Sequence, residues 1–253
     1  MTIEIVVYNI ESAINAQLGG ANRIELCDNP GEGGTTPSLG VIETVRKKLN
    51  IDLFVMIRPR GGDFCYSAEE FEAMKKDIVS AKKAGADGVV LGILTPTGRI
   101  DTARCTELIQ LARPMNVTCH RAIDMTKDIS LSLEECISCG FDRVLTSGGM
   151  LKAIQGIEVI FQLQNQANGR IKIMPGSGVN ENCIAEIVSK TGVSEIHFSA
   201  TKFRDSSMCF RNPNITGMGD DEGSEFKLRT VDVERVKEMR KLGRININLY
   251  SPP

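Results

Sequence analysis

Tryptophan is absent, histidine occurs twice, and 30 basic against 32 acidic side chains leave a net charge of only −2. A balance this even, with both signs spread along the chain, lacks the clustered Lys and Arg that nucleic acid or an anionic membrane surface requires. Long hydrophobic runs are missing too: stretches such as Gly88–Leu94 fall far short of the ~20 residues of a spanning helix. The opening residues MTIEIVVYNIE carry neither a basic leader nor a cleavage signature, so a cytoplasmic protein is expected. After the first apolar run the chain reads YNIESA, where a dinucleotide-binding sheet would place a glycine-rich turn; no nucleotide cofactor is expected.

Cysteine is not scarce, but its distribution excludes a secreted disulfide frame. Cys27, Cys65, Cys105, Cys119, Cys136, Cys139, Cys183 and Cys209 are scattered through a long chain and read as reduced thiols. Cys136 and Cys139 form a lone CxxC in LEECISCGF; without a second ligand pair at suitable spacing they read as small helix residues rather than a zinc site.

What the chain has in abundance is alternation. Four apolar runs share one entrance, a glycine suited to ending a helix, then a short linker: GGANRIEL (19–26), AGADGVVL (84–91), CGFDRVLT (139–146) and TGVSEIHF (191–198). Between them lie IEIVVY (3–8), DLFVMI (52–57), NVTCH (116–120) and IKIMP (171–175). Amphipathic stretches near 10–17, 38–48, 67–84, 101–112, 130–138, 151–165, 181–190 and 232–242 separate these strands. Strands alternating with helices make a parallel sheet, and eight units in 253 residues predict a single α/β domain, a (β/α)8 TIM barrel spanning 1–253. One connection is long: Ser199 to Thr230, between strand 8 and the last helix, is rich in Gly, Ser, Asp and Asn with no sustained period. Leaving strand 8, it is expected to lie over the carboxyl face, where barrels hold their sites.

Period-two alternation sorts the strand residues by face. It turns Glu4, Val6 and Tyr8 inward on strand 1, and Arg23, Glu25 and Cys27 on strand 2. Phe54, Met56, Arg58 and Arg60 follow on strand 3, Thr118 and His120 on strand 5, and Glu195, His197 and Ser199 on strand 8. Both histidines therefore converge with Glu25 and Arg58 near one rim, and buried charge is costly unless paired or put to use. Arg60 and Arg121 have two readings: anion contacts on the same rim, or structural ion pairs with Asp63 and Asp124. In MPGSGVNEN, Gly176 and Gly178 after strand 7 occupy a common location for phosphate binding in barrels. With Ser147 and Ser199 they complete the candidate anion-binding set. No HxH pair ends a strand, against a binuclear metal hydrolase, and Lys172 sits too early in its strand for Schiff-base or PLP chemistry.

RIELC followed by EGGTTPSLG, IRPRGGDFCYS, HRAID, RVLTSG and MPGSGV, in this order, resembles the CutC copper-homeostasis family from the first strand to near residue 240. The resemblance implies a (β/α)8 barrel, a cytoplasmic protein linked to copper tolerance, and Cu(I) binding in at least some members, without a settled reaction. The segment containing FRDSSMCFRN looks like that of the longer animal-type members. A Cu(I) site proposed for the family uses two cysteines, one on strand 1 and one ending strand 2; Cys27 matches the second, while Val6 stands at the first. Soft Cu(I) prefers paired thiolates, so a partner sulfur must come from a loop, Cys65 or Cys209.

Two functions follow. One is a protein that binds Cu(I) through Cys27 and Cys65. The other is an enzyme acting on a small phosphate- or carboxylate-bearing metabolite. In that enzyme Arg58 and the Gly176–Gly178 turn would hold negative charge, Glu25 and His120 transfer protons, and His197 polarise the substrate. Barrel proteins of this kind often associate, and a homo-oligomer is compatible with either reading.

Overall fold

The computed structural model describes residues 1–215 and 224–245. The strands are β1 (Thr2–Val7), β2 (Arg23–Leu26), β3 (Asp52–Met56), β4 (Gly88–Leu91), β5 (Asn116–Cys119), β6 (Arg143–Thr146), β7 (Lys172–Pro175) and β8 (Glu195–Phe198). Helices α1 (Ile10–Leu18), α2 (Leu39–Arg46), α3 (Ala68–Lys83), α4 (Thr102–Ala112), α5 (Ile129–Cys139), α6 (Ile157–Ala167), α7 (Ile184–Thr191) and α8 (Val233–Ile245) follow the strands in turn. All eight strands are parallel, in the order β7-β6-β5-β4-β3-β2-β1-β8, and β7 packs beside β8, so the sheet is a nearly closed (β/α)8 barrel.

The elements begin where side chains satisfy free backbone N–H groups. Asn9 caps α1, Ser38 caps α2, and Ser67 with Glu70 forms a capping box on α3. Helix α6 starts later than the amphipathic pattern from 151 suggests. Gly156 presses on the Ser147 carbonyl, where an added Cβ would lie 2.0 Å from the oxygen, so residues 151–156 turn before the helix starts.

The outward faces of the strands, with Ile3, Ile5, Ile24, Leu53, Val55, Val89, Leu91 and Val117, bury against the helices in one continuous apolar core. The interior is layered differently. Its floor is ionic: Arg23 pairs with Glu4 and donates to Glu195 Oε2 at 2.6 Å, and Arg143 Nε donates to the same oxygen at 2.9 Å. Arg23 and Arg143 both stack on Phe54, 4.7 and 5.0 Å from its centroid, and Gly88 makes room for that ring. Above lies a small apolar cluster of Val6, Cys27, Phe54, Met56 and Val90. The mouth comes next.

The long connection after β8 is not irregular throughout. It contains β9 (Thr201–Asp205) and β10 (Lys227–Val231), an antiparallel pair outside the barrel sheet. The Gly- and Asp-rich centre hides their period in the sequence, and residues 216–223 lie outside the described residues. This hairpin is tied to α1 and the turn before it. Asn9 Nδ2 donates to Arg229 O (2.8 Å), Asn15 Nδ2 to Val231 O (3.1 Å), and Arg204 pairs with Glu11 (2.7 Å). Arg229 also stands over the ring of Tyr8, 5.8 Å from its centroid, so the hairpin flanks the mouth.

Candidate functional site at the barrel mouth

A cavity of about 220 Å³ opens at the carboxyl ends of the strands, walled by Glu25, Arg58, His120, Arg121 and His197 with Tyr8, Phe64, Met56 and Leu145 among its less polar lining. Each polar group is held in a definite state. His120 follows β5 and accepts the Ala122 N–H on Nδ1 at 3.2 Å, which leaves the ring proton on Nε2. Burial, reinforced by the charge of Arg58, pushes its pKa down to about 3, so the ring is neutral. Gly92 is required there, because a Cβ would lie 2.8 Å from His120 Cε1.

His197 is the opposite case. Its Nδ1 meets Glu4 Oε1 at 2.8 Å, and its Nε2 lies 3.8 Å from Glu25 Oε2. Burial disfavours the imidazolium, but the Glu25 and Glu4 carboxylates outweigh burial and raise the pKa. Burial works against the Glu4 carboxylate as well, yet Arg23 and His197 hold it down to about 2; Glu4 is therefore ionised and accepts the His197 Nδ1–H. Burial pushes the Glu25 carboxyl up to about 7 against the pull of His197. A carboxyl that titrates near neutrality thus faces an imidazole biased toward its protonated form, the arrangement expected of an acid–base pair.

Arg58 explains why an apolar strand ends on a cation. Its guanidinium donates to Glu32 O (2.5 Å), Gly34 O (2.9 Å) and Gly62 O (2.8 Å), fastening the loops after β2 and β3, while Phe64 stacks 5.0 Å away. Phe64 also lies 4.8 Å from His120, centroid to centroid. Three buried polar atoms on the cavity-lining side chains have no hydrogen-bond partner among the described residues: Glu25 Oε1, Arg58 Nε and His120 Nε2.

Glu25, Arg58, His120 and His197 share this cavity, on the interior side of the alternation, and Arg121 joins them from the turn after β5. The other candidates are taken up by the protein itself or lie elsewhere, and Arg121 is partly so engaged. Arg121 doubles as a structural group, pairing with Asp124 (2.8 Å) and donating to Ser147 Oγ (2.9 Å), and Ser147 is itself fixed by Asp124. Arg60 is committed to Asp63 (3.0 Å) and Glu70 (2.7 Å) on the rim. Gly176 donates its N–H to Thr146 O (3.0 Å) rather than offering it to an anion, and its Cα closes in on His197, where an added Cβ would lie 3.3 Å from Cδ2. Gly178 faces Lys152, and Ser199 is half-buried beyond the lining. Cys65 lines a separate groove of about 420 Å³ with Phe64, Leu94 and Met125. Of the residues not anticipated, Leu145 follows from the alternation of RVLT, whereas Glu32 and Phe64 sit on loops without a period.

The CutC family model matches residues 1–202. The chain belongs to the CutC family. The copper homeostasis protein cutC homolog of Mus musculus is 47% identical over 242 residues, 96% of this chain and 89% of that protein. The family protein CutC of Chromobacterium violaceum is 44% identical, covering 94% of this chain and 96% of its own. A crystal structure of CutC from Streptococcus agalactiae superposes with a TM-score of 0.74 at 36% identity, covering 78% of this chain and 97% of that one. The family model ends inside β9, while the mouse and Chromobacterium violaceum alignments cover nearly the whole chain.

Cu(I) at the mouth needs a donor set that the described residues of this CutC chain do not assemble. Cys27 is buried in an apolar cluster with Val6, and burial together with Glu25 raises its thiol well above the ordinary range. Cys65 lines the other groove, and Cys209 is exposed on the segment after β9. Cys27 is thus a protonated thiol without a second sulfur from either candidate, a poor fit to soft, paired-thiolate coordination.

Proposed function

We propose that the mouth of this CutC barrel binds a small oxygen-bearing anion and transfers a proton on it. The observation that carries the reading is the set of unpartnered buried atoms, since buried polar groups are almost always hydrogen-bonded and an exposed cavity wall is where a ligand would satisfy them. Arg58 Nε–H and His120 Nε2–H donate to ligand oxygens. Glu25 takes or returns the proton, and the His197 cation, anchored by Glu4, stabilises the negative charge that develops. Phosphate and carboxylate both fit this chemistry, and a volume of about 220 Å³ restricts the ligand to a small metabolite. All eight cysteines are free thiols, in keeping with the cytoplasmic setting that the reading assumes.

A thermal-shift screen of small phosphorylated and carboxylated metabolites tests the proposal. At least one is expected to raise the melting temperature of the wild-type protein. Arg58→Lys, which keeps the charge but lacks the Nε–H, is expected to lose most of that rise, as is His120→Phe. A stabilising anion that acts equally on both variants would rule the mouth out as its site.

A further inference from the structure

The hairpin brings a cation to the lip of the mouth. Arg229 on β10 stands opposite Phe203 on β9, and its guanidinium lies 5.2 Å from the Phe203 centroid and 5.8 Å from that of Tyr8, which lines the cavity. The backbone is fixed at the same place. Asn9, the residue after Tyr8, donates from Nδ2 to Arg229 O (2.8 Å), while its Oδ1 accepts the Ser12 N–H at the start of α1 (2.8 Å). A surface arginine ordinarily moves through many rotamers, but one flanked by two aromatic faces has given up much of that freedom before a ligand arrives. The other cations of the two strands are spoken for: Arg204 pairs with Glu11 (2.7 Å), Lys227 with Asp205 (2.6 Å) and Lys202 with Asp232 (3.3 Å). Among the described residues Arg229 alone of these meets no carboxylate. Its charge is felt inside the mouth, for burial, Cys27 and Glu25 raise the Tyr8 phenol while Arg229 opposes the rise.

We infer that Arg229 is a second anion contact and that the ligand of the mouth is a small metabolite with two acidic groups, the inner one against Arg58 and His120 and the outer one against Arg229; the assignment builds on the anion-binding mouth proposed above. The cations deeper in the site are already committed. Arg121 is paired with Asp124 (2.8 Å), and the terminal nitrogens of Arg58 are taken by the carbonyls of Glu32, Gly34 and Gly62, which leaves its Nε. A second acidic group thus finds its counter-charge at the lip, where the guanidinium can offer its N–H edge to a carboxylate or phosphate while its face stays on the rings. Arg229 lies beyond the residues 1–202 that the CutC family model matches, so this contact is a property of the hairpin rather than of the barrel. A guanidinium that only braced the hairpin would change the melting temperature of the unliganded protein and not its choice of ligand.

The test compares acids that differ by one carboxylate, propionate with succinate and methylphosphonate with phosphonoacetate, by dose-dependent thermal shift on the full chain. In wild type the second acidic group is expected to tighten binding by about tenfold or more. Arg229→Gln is expected to lose that gain while single-acid binding stays within about twofold, and Lys227→Gln, which removes an exposed cation from the same strand, is expected to keep the gain. Arg58→Lys is expected to weaken single and double acids alike. Single acids that bind wild type with no gain from the second group, a gain that survives Arg229→Gln, an Arg229→Gln loss equal for single and double acids, or an equal loss of the gain in Lys227→Gln overturns the outer contact and leaves the anion-binding mouth standing. Binding of none of the acids to wild type overturns both.

Discussion

On the floor of the barrel Glu4, Arg23, Arg143 and Glu195 are as inaccessible as Glu25 and His120 are at its mouth, yet the two layers settle their polar groups differently. Every floor charge meets an opposite one, and the two guanidiniums also cover the faces of Phe54. At the mouth Glu25 Oε1, Arg58 Nε and His120 Nε2 have no hydrogen-bond partner among the described residues. Burying polar atoms unpaired costs stability, so the contrast separates a layer that holds the barrel together from one kept ready for something outside it. His197 joins the two, with one nitrogen on Glu4 and the other toward Glu25.

The comparison breaks most visibly on the floor. Arg23→Met leaves Glu4 and Glu195 facing each other without their shared cation, and a loss of about 3–5 kcal/mol in urea unfolding is expected. A loss below about 1 kcal/mol would mean that the floor is not the stabilising layer. Glu25→Gln should act in the opposite direction. A carboxyl raised to about 7 binds its proton more tightly folded than unfolded, so its contribution to stability is greatest below the unfolded pKa and declines as pH rises toward 7. Wild type is therefore expected to lose on the order of 3 kcal/mol relative to Glu25→Gln between pH 4.5 and pH 8, read as a difference between two urea titration series. His120, whose pKa is lowered by burial and Arg58, contributes the reverse trend to both proteins, whereas His197, which Glu25 raises, loses that support in Glu25→Gln and adds to the difference in the same direction. The smallest effect belongs to the rim: Arg60→Ala removes exposed pairs with Asp63 and Glu70 and should cost under about 1 kcal/mol, with ligand-induced thermal shifts unchanged.

Much of this was legible in the sequence because a strand has a period of two. RIELC, NVTCH and EIHFS each place a polar residue on the interior side, and that alone brings Glu25, His120 and His197 together. The pairing of Arg60 with Asp63 and of Arg121 with Asp124 was legible as well, being local. Phe64 and Glu32 were not, since loop residues have no face until the loop is folded. The β9–β10 hairpin has no local signature, because a long polar stretch separates its two halves and β9 carries no buried face.

The stitches between that hairpin and the first helical turn carry a kinetic consequence. Asn9 bonds a residue 220 positions later, and Asn15 one 216 later, so the opening unit completes its contacts only after almost all the rest has been made. Closing so long a span adds little to the equilibrium cost, which grows only logarithmically, but it slows the search. During synthesis the first strand and helix therefore wait, partly unpartnered, until the last fifth of the polypeptide emerges from the ribosome.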